Sequence, residues 1–313
     1  MASPDSVPDI SILVVSWNTS ELTQACLDSI PGSVAPGTTV ETIVVDNGSA
    51  DGSIELLRAR DDVELIENGL NLGYAAAVNQ AYARARGRLV LLLNSDVDLP
   101  PGSVDVLVRF LGAHPDVAGV GPLYLNPDGS FQQHHYRLPT LSMLLASSSA
   151  PLRRLPSFSR SFSRYRMLDV DFSTPRPVEQ PSASCLLLRR DALGDDYLLD
   201  EQFPIYFNDV ELAYRLGKRG HSLWMTPESM VYHVHGASTR QLGSDLRPQH
   251  LASLIRYLKR TQPARNLLLF RAVILVHAAG LRLFRGRNAS VPLREVLRGL
   301  RGEFGPLPQA PRA

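Results

Sequence analysis

The sequence predicts an α/β fold: a doubly wound, mostly parallel sheet followed by a basic helical tail. Two observations carry the sheet. Strand-length apolar runs alternate with helical segments four times in the first 110 residues. Polar clusters then close successive units at Asn18, Asp46, Asn71 and Asp98. The tail follows from charge. From Arg240 onward there are 14 Lys and Arg against 3 Asp and Glu, so in a chain of net charge +1 the preceding part carries −10.

The first predicted strand covers residues 9–16, DISILVVS, and ends at Ser16. Trp17-Asn18-Thr19-Ser20-Glu21 opens a helix, with Asn18 or Thr19 as cap and Glu21 in the acidic first turn. A second strand from Glu41 ends in Asp46-Asn47-Gly48-Ser49, and a third, Val63 to Glu67, leads to Asn71-Leu72-Gly73. An alanine-rich helix runs from about Tyr74 to Arg86. The run Leu89 to Leu93 has no charge inside it, as expected of a strand buried on both faces. It ends in Asn94-Ser95-Asp96-Val97-Asp98, and Pro100-Pro101-Gly102 stops the chain. Asp96 and Asp98 form either a polar turn or a pair of hard oxygen ligands for Mg²⁺ or Mn²⁺.

Right-handed crossovers place the four polar strand ends on one edge, where open α/β sheets bind ligands. A nucleotide site is expected there. No glycine-rich GxGxxG or P-loop pattern follows the first strand, which argues against a dinucleotide fold or an NTPase. Residues 126–181 are rich in Pro, Ser and Arg and hold no regular period. They read as an irregular segment, a mobile cover over the site or a simple insertion. Cys185 to Arg189 is again a strand. Val210, Ala213, Tyr214, Leu216 and Gly217 then give helical spacing up to Gly220, with Asn208 and Asp209 at the helix N-terminus as caps or functional groups. His233 and His235 stand two apart on the next strand and share a face.

With 44% hydrophobic and 20% charged residues, the chain can bury a full core. Two cysteines, Cys26 and Cys185, exclude a disulfide framework and fit a reducing compartment. The N-terminus lacks the pattern of a secretory signal. Residues 267–284, LLLFRAVILVHAAGLRLF, are interrupted by Arg271 and His277. On a helix Arg271, Arg282 and Arg285 share one sector opposite the leucines and valines. That suits a helix lying on an anionic membrane surface, with Arg256, Lys259, Arg260, Arg287 and Arg294 reaching headgroups, better than a nucleic-acid contact. The other reading is a helical hairpin packed on the acidic body.

In order along the chain, VSWNTSE, VVDNGSADGS, NLGYAAAVNQA, NSDVD, LLDEQFPIYFNDVELAYRLGKRG and VYHVHGAS resemble the motifs of family-2 glycosyltransferases of the GT-A fold, nearest the bacterial rhamnosyltransferase-like branch. The likeness covers residues 9–239. It implies a GT-A domain over 1–240, with 126–181 on the acceptor side and 241–313 as a tail at the inner face of the cell membrane. It implies an inverting, metal-dependent transferase taking a nucleotide-diphosphate sugar to a cell-envelope glycan or lipid-linked acceptor. Rhamnose is one candidate sugar; a galactofuranosyl or hexosyl donor, or a catalytically silent nucleotide-sugar-binding subunit, are the alternatives.

Carried onto this sequence, the resemblance assigns the nucleotide to Ser16, Asn18, Asp46, Asn71, Gly73 and Asp96. It assigns Mg²⁺ or Mn²⁺ to Asp98, Asp96 and His233, and makes Asp209 the general base. Asn208, Asp200, Glu201 and His235 fall on the acceptor side. Two departures stand out: Asn208 replaces a glutamate common in the family, and Ser182-Ala183-Ser184 replaces a glycine-alanine. The helix N-terminus is expected to lower the pKa of Asp209.

Overall fold

A computed structural model describes residues 7–194, 197–234, 236–237, 246–285, 293–304, 307 and 309. The first half alternates as expected: β1 (Ile10–Ser16), α1 (Ser20–Ser33), β2 (Val40–Asp46), α2 (Ser53–Arg58), β3 (Glu64–Glu67), α3 (Tyr74–Arg84) and β4 (Leu89–Asn94). Then come β5 (Val97–Asp98), α4 (Ser103–Ala113) and β6 (Val117–Leu125). The main sheet has the order β3-β2-β1-β4, then β11 (Cys185–Arg189), β6, β12 (Ser222–His233) and β5. Strands β3, β2, β1 and β4 are parallel; β11 runs antiparallel between β4 and β6, and β12 is parallel to β6.

Alternation along β1 explains the two layers. Ile10, Ile12 and Val14 face Cys26 and Leu27 of α1 and Leu107 of α4, while Leu13 faces Ala77 and Val78 of α3. Leu91, Leu92 and Leu93 are all fully buried, each contributing about 1.5–3 kcal/mol by leaving water. The register pairs Ser16 with Asp46 and Val15 with Asn94, which sets the polar strand ends side by side.

Residues 126–181 are more regular than expected. They form β7 (Phe131–Gln132), β8 (His135–Tyr136), α5 (Leu141–Ser148), α6 (Ala150–Arg153), α7 (Pro156–Tyr165), β9 (Arg176–Pro177) and β10 (Gln180–Pro181). Met143, Leu144, Leu145 and Ala146 of α5 are buried in succession, so no amphipathic period marks that helix. The remaining elements follow as α8 (Arg190–Leu193), α9 (Asn208–Lys218), α10 (Arg247–Thr261), α11 (Ala264–Arg285) and α12 (Leu293–Arg301).

The tail packs on the body through a core of its own. Met143, Leu144 and Leu145 of α5 meet Leu254, Ile255 and Leu258 of α10, Phe270 and Ile274 of α11, and Leu300 of α12. Arg271 turns inward, its Nε donating to the Leu300 carbonyl at 3.0 Å, while Leu268, Leu269, Leu275 and Val276 are exposed. Arg256 donates to the carbonyls of Gln202 and Gly302, and Arg260 pairs with Asp200 and Glu211, so both face the body. Arg287 and the side chains of Arg282 and Arg285 lie outside the described residues. Among the described residues no helix is long and apolar enough to cross a membrane.

Candidate active site

A cavity of about 450 Å³ opens at the carboxyl edge of the sheet, lined among others by Trp17, Asn47, Asn71, Tyr74, Asp96, Asp209 and His233. Its nucleotide end is built by interlocked turns. Asp46 ends β2 with its carboxylate fully buried; Oδ2 accepts from the amides of Gly48 (3.1 Å) and Ser49 (2.9 Å). Its other oxygen and the nearby Trp17 Nε1 are buried without a hydrogen-bond partner among the described residues. Burial raises the Asp46 pKa above the ordinary carboxylate value. Asn47 Nδ2 donates to Asn71 Oδ1 at 2.9 Å, and that oxygen also accepts from the Gly73 amide at 2.9 Å. Gly48 has φ +81° and a Cβ there would lie 2.7 Å from the Leu70 Cα, so only glycine fits the turn.

Of the six residues expected on the nucleotide, Asn71 and Asp96 line the cavity. Ser16, Asn18, Asp46 and Gly73 stand behind its wall. Ser16 Oγ bonds Thr23 Oγ1 at 2.9 Å. Asn18, at φ +52°, accepts from the Ala50 amide at 2.8 Å. These groups shape the turns that present Trp17 and Asn47.

The second end is a triad of side chains. Gln132 Nε2 donates to Asn126 Oδ1 (2.7 Å) and to the His233 carbonyl (3.0 Å), which leaves its Oε1 to accept from His233 Nδ1 at 2.8 Å. In the neutral ring the proton therefore sits on Nδ1. Nε2 lies 3.3 Å from Asp96 Oδ1. An imidazole nitrogen and a carboxylate oxygen at that separation suit a shared cation. Among the described residues no group of three or more His, Cys, Asp or Glu is arranged to hold a metal ion by itself. Mg²⁺ and Mn²⁺ sites built on one or two protein ligands plus substrate phosphates have this character.

Asp98, expected beside Asp96 as a metal ligand, does not line this cavity. The chain turns at Ser95-Asp96 and enters β5 only at Val97. Asp98 is exposed, pairs across to Tyr232, and lines a neighbouring pocket that it shares with Asp96, Cys26 and Pro127.

Asp209 enters the cavity from the first turn of α9. Phe207 takes the N-cap position at φ +66° and Asn208 braces the turn, donating to the Ile205 carbonyl at 3.1 Å. Asp209 Oδ1 accepts from the Val210 amide at 2.8 Å and Oδ2 from Gln180 Nε2 at 3.0 Å. The expected lowering of its pKa is reversed: burial outweighs those hydrogen bonds and raises it. Asp200 and Glu201, expected on the acceptor side, do not line the cavity. Asp200 pairs with Arg260 at 2.5 Å, and Glu201 accepts from Asn79 at 3.0 Å. His235 lies outside the described residues.

Sequence reasoning missed Gln132 and Gln180. Both sit in two-residue strands, too short for any periodic signal.

The sequence profile described as glycosyl transferase family 2 matches residues 11–195. The chain belongs to glycosyl transferase family 2. The N-acetylglucosaminyl-diphospho-decaprenol L-rhamnosyltransferase of Mycobacterium tuberculosis is 33% identical over 237 residues, covering 71% of this chain and 76% of the relative. The succinoglycan biosynthesis protein ExoO of Rhizobium meliloti is 27% identical over 254 residues, covering 80% and 67%. Among solved structures, the mannosyltransferase PcManGT of Pyrobaculum calidifontis, in complex with GDP-Man and Mn²⁺, aligns with a TM-score of 0.54 at 18% identity. That alignment covers 94% of this family-2 glycosyltransferase and 79% of the neighbour, and it shows a common GT-A fold.

Proposed function

We propose that this family-2 glycosyltransferase moves a sugar, with L-rhamnose the first candidate, from a nucleotide diphosphate to a lipid-linked glycan acceptor, with inversion and with help from Mn²⁺ or Mg²⁺. One observation carries the reading: the Asp96–His233 pair and Asp209 open into the same cavity. The diphosphate lies at Asp96 and His233, and the nucleoside reaches toward Trp17, Asn47 and Asn71. A divalent cation held by Asp96 and His233 would act as a Lewis acid on the leaving diphosphate. Asp209 accepts the proton of the acceptor hydroxyl, and its raised pKa makes it a better base than an ordinary aspartate. Gln180 and the Val210 amide hold that carboxylate in place.

The rhamnosyl donor and the prenyl-diphosphate acceptor rest on the mycobacterial relative, whose name specifies both the L-rhamnosyl group and its acceptor. A galactofuranosyl or hexosyl donor is the competing assignment. The deciding measurement is a thermal-shift panel of dTDP-L-rhamnose, UDP-galactofuranose, UDP-glucose and GDP-mannose with and without Mn²⁺, followed by transfer to an N-acetylglucosaminyl-diphospho-prenol. Stabilisation by one donor, enhanced by Mn²⁺, supports the reading. Absence of stabilisation by every donor overturns it.

The outward stripe of α11 gives the membrane reading a new geometry. Leu268, Leu269, Leu275 and Val276 are 38–73% exposed, and Ala272 and Ala279 continue the same face. An apolar stripe on a helix otherwise held to the body suits insertion into the acyl–headgroup boundary of an anionic bilayer. Exposed Lys259, Arg265 and Arg294 supply the charge.

A further inference from the structure

Tyr74 is the first residue of α3 and lines the cavity, and its phenolic oxygen is buried with no hydrogen-bond partner among the described residues. A buried hydroxyl left unpaired costs about 1–3 kcal/mol, so it is rare unless something outside the chain completes it. The neighbouring Tyr124 shows the contrast. Its oxygen accepts from the Cys185 amide at 2.8 Å and lies 2.9 Å from the Cys185 carbonyl, a finished structural arrangement.

The position of Tyr74 is fixed from two sides. The Ala75 amide donates to the Pro204 carbonyl at 3.3 Å, and Gly73, at φ +92°, lies so close to Pro204 that a Cβ would sit 2.9 Å from it. The start of α3 is thus locked to the loop that leads into α9. Both Asp209 and Asp96 exert an electrostatic influence on the phenol, which burial keeps neutral. In the donor reading, Asp96 marks the diphosphate and Asp209 the incoming hydroxyl. The sugar must span the two, because its anomeric carbon breaks one bond and forms the other.

We infer that Tyr74 reads the transferred sugar, its phenol hydrogen-bonding a hydroxyl of that sugar rather than the nucleotide or the acceptor. This inference rests on the donor reading above. It makes Tyr74 a specificity-determining residue that touches the sugar ring between the two carboxylates.

The test is Tyr74→Phe, read by calorimetric titration with the four sugar nucleotides named above and with dTDP, UDP and GDP alone. Affinity for the nucleoside diphosphate should stay within twofold of wild type. Affinity for the sugar nucleotide that the wild type selects should fall about tenfold, the value of one neutral hydrogen bond. Because the variant removes an unpaired buried hydroxyl, its unfolding midpoint should equal or exceed that of wild type. Equal sugar-nucleotide affinity in both proteins overturns the role of Tyr74 and leaves the donor reading intact. So does parallel weakening of diphosphate and sugar nucleotide, or a lowered unfolding midpoint. Failure of the wild type to bind any of the four donors overturns both.

Discussion

His233 Nε2 faces Asp96 Oδ1 at 3.3 Å while its Nδ1 is held by Gln132 Oε1 at 2.8 Å, so imidazole and carboxylate are fixed side by side. The pair is drawn from elements 137 residues apart in sequence, a turn after β4 and the end of β12. Asp96→Ala should therefore abolish the Mn²⁺-dependent part of nucleoside-diphosphate binding, and Asp98→Ala should retain most of it. Titration of UDP, dTDP and GDP with and without Mn²⁺ separates the two variants. Loss in both variants would restore the Asp96–Asp98 pairing expected from sequence.

Gln132 makes the arrangement specific by fixing the imidazole tautomer. Gln132→Leu should weaken metal binding by roughly 10–100-fold, the usual effect of losing a partner that orients a histidine ligand. The nucleotide affinity measured without metal should not change. A metal affinity within twofold of wild type would show that His233 is not a ligand.

Asp209→Asn keeps both accepting contacts geometrically possible and removes the proton acceptor. Turnover should fall by roughly 10²–10⁴-fold with folding and donor binding intact. The sign of the stability effect follows from burial. The folded state binds its proton more tightly than the unfolded state, so the ionised carboxylate destabilises the fold as pH rises from the ordinary aspartate pKa through the raised one. At pH 7 the Asn variant should be as stable as wild type or more so, and wild-type turnover should climb with pH through a value above the usual carboxylate range. Chemical denaturation and a pH–rate profile check the two halves separately.

Gly48→Ala tests the nucleotide turn. With φ +81° and the Leu70 backbone 2.7 Å from the added carbon, the substitution should destabilise by about 1–3 kcal/mol and weaken nucleoside-diphosphate affinity. Unchanged urea midpoints would mean that the turn relaxes freely.

On the tail, Leu269→Glu with Val276→Glu should leave the unfolding midpoint near wild type, since both side chains are at least half exposed. Co-sedimentation with anionic vesicles at low salt should drop. Arg260→Ala, by contrast, leaves buried Asp200 without its cation and Glu211 with Arg215 alone, and should destabilise by about 1–3 kcal/mol. Vesicle binding unaffected by the double glutamate variant removes α11 as the membrane contact.

The sheet was legible because uninterrupted runs such as Leu89 to Leu93 have no other use, and their polar ends follow from parallel connectivity. The helix carrying Asp209 was legible from Val210, Ala213 and Leu216. The spacing of Asp96 and Asp98 did not reveal that the chain turns at Ser95-Asp96 and sets Asp98 on β5. Gln132 and Gln180 were invisible, since each acts through a partner at least 29 positions away and lies on no regular repeat. The packing of α11 against the body was not legible for a different reason. The helix is apolar on two faces, so the sequence alone does not say which one turns inward; Arg271 is accommodated by a single backbone carbonyl.

The cluster joining α5 to α10, α11 and α12 also bears on how such enzymes can be recombined. Met143, Leu144 and Leu145 find their packing partners in residues more than a hundred positions later, so neither segment has a complete interior alone. A chimera that exchanges the tail between relatives, or the 141–165 segment between them, will mismatch that interface. The two stretches form one unit of inheritance, to be grafted together onto a recipient sheet.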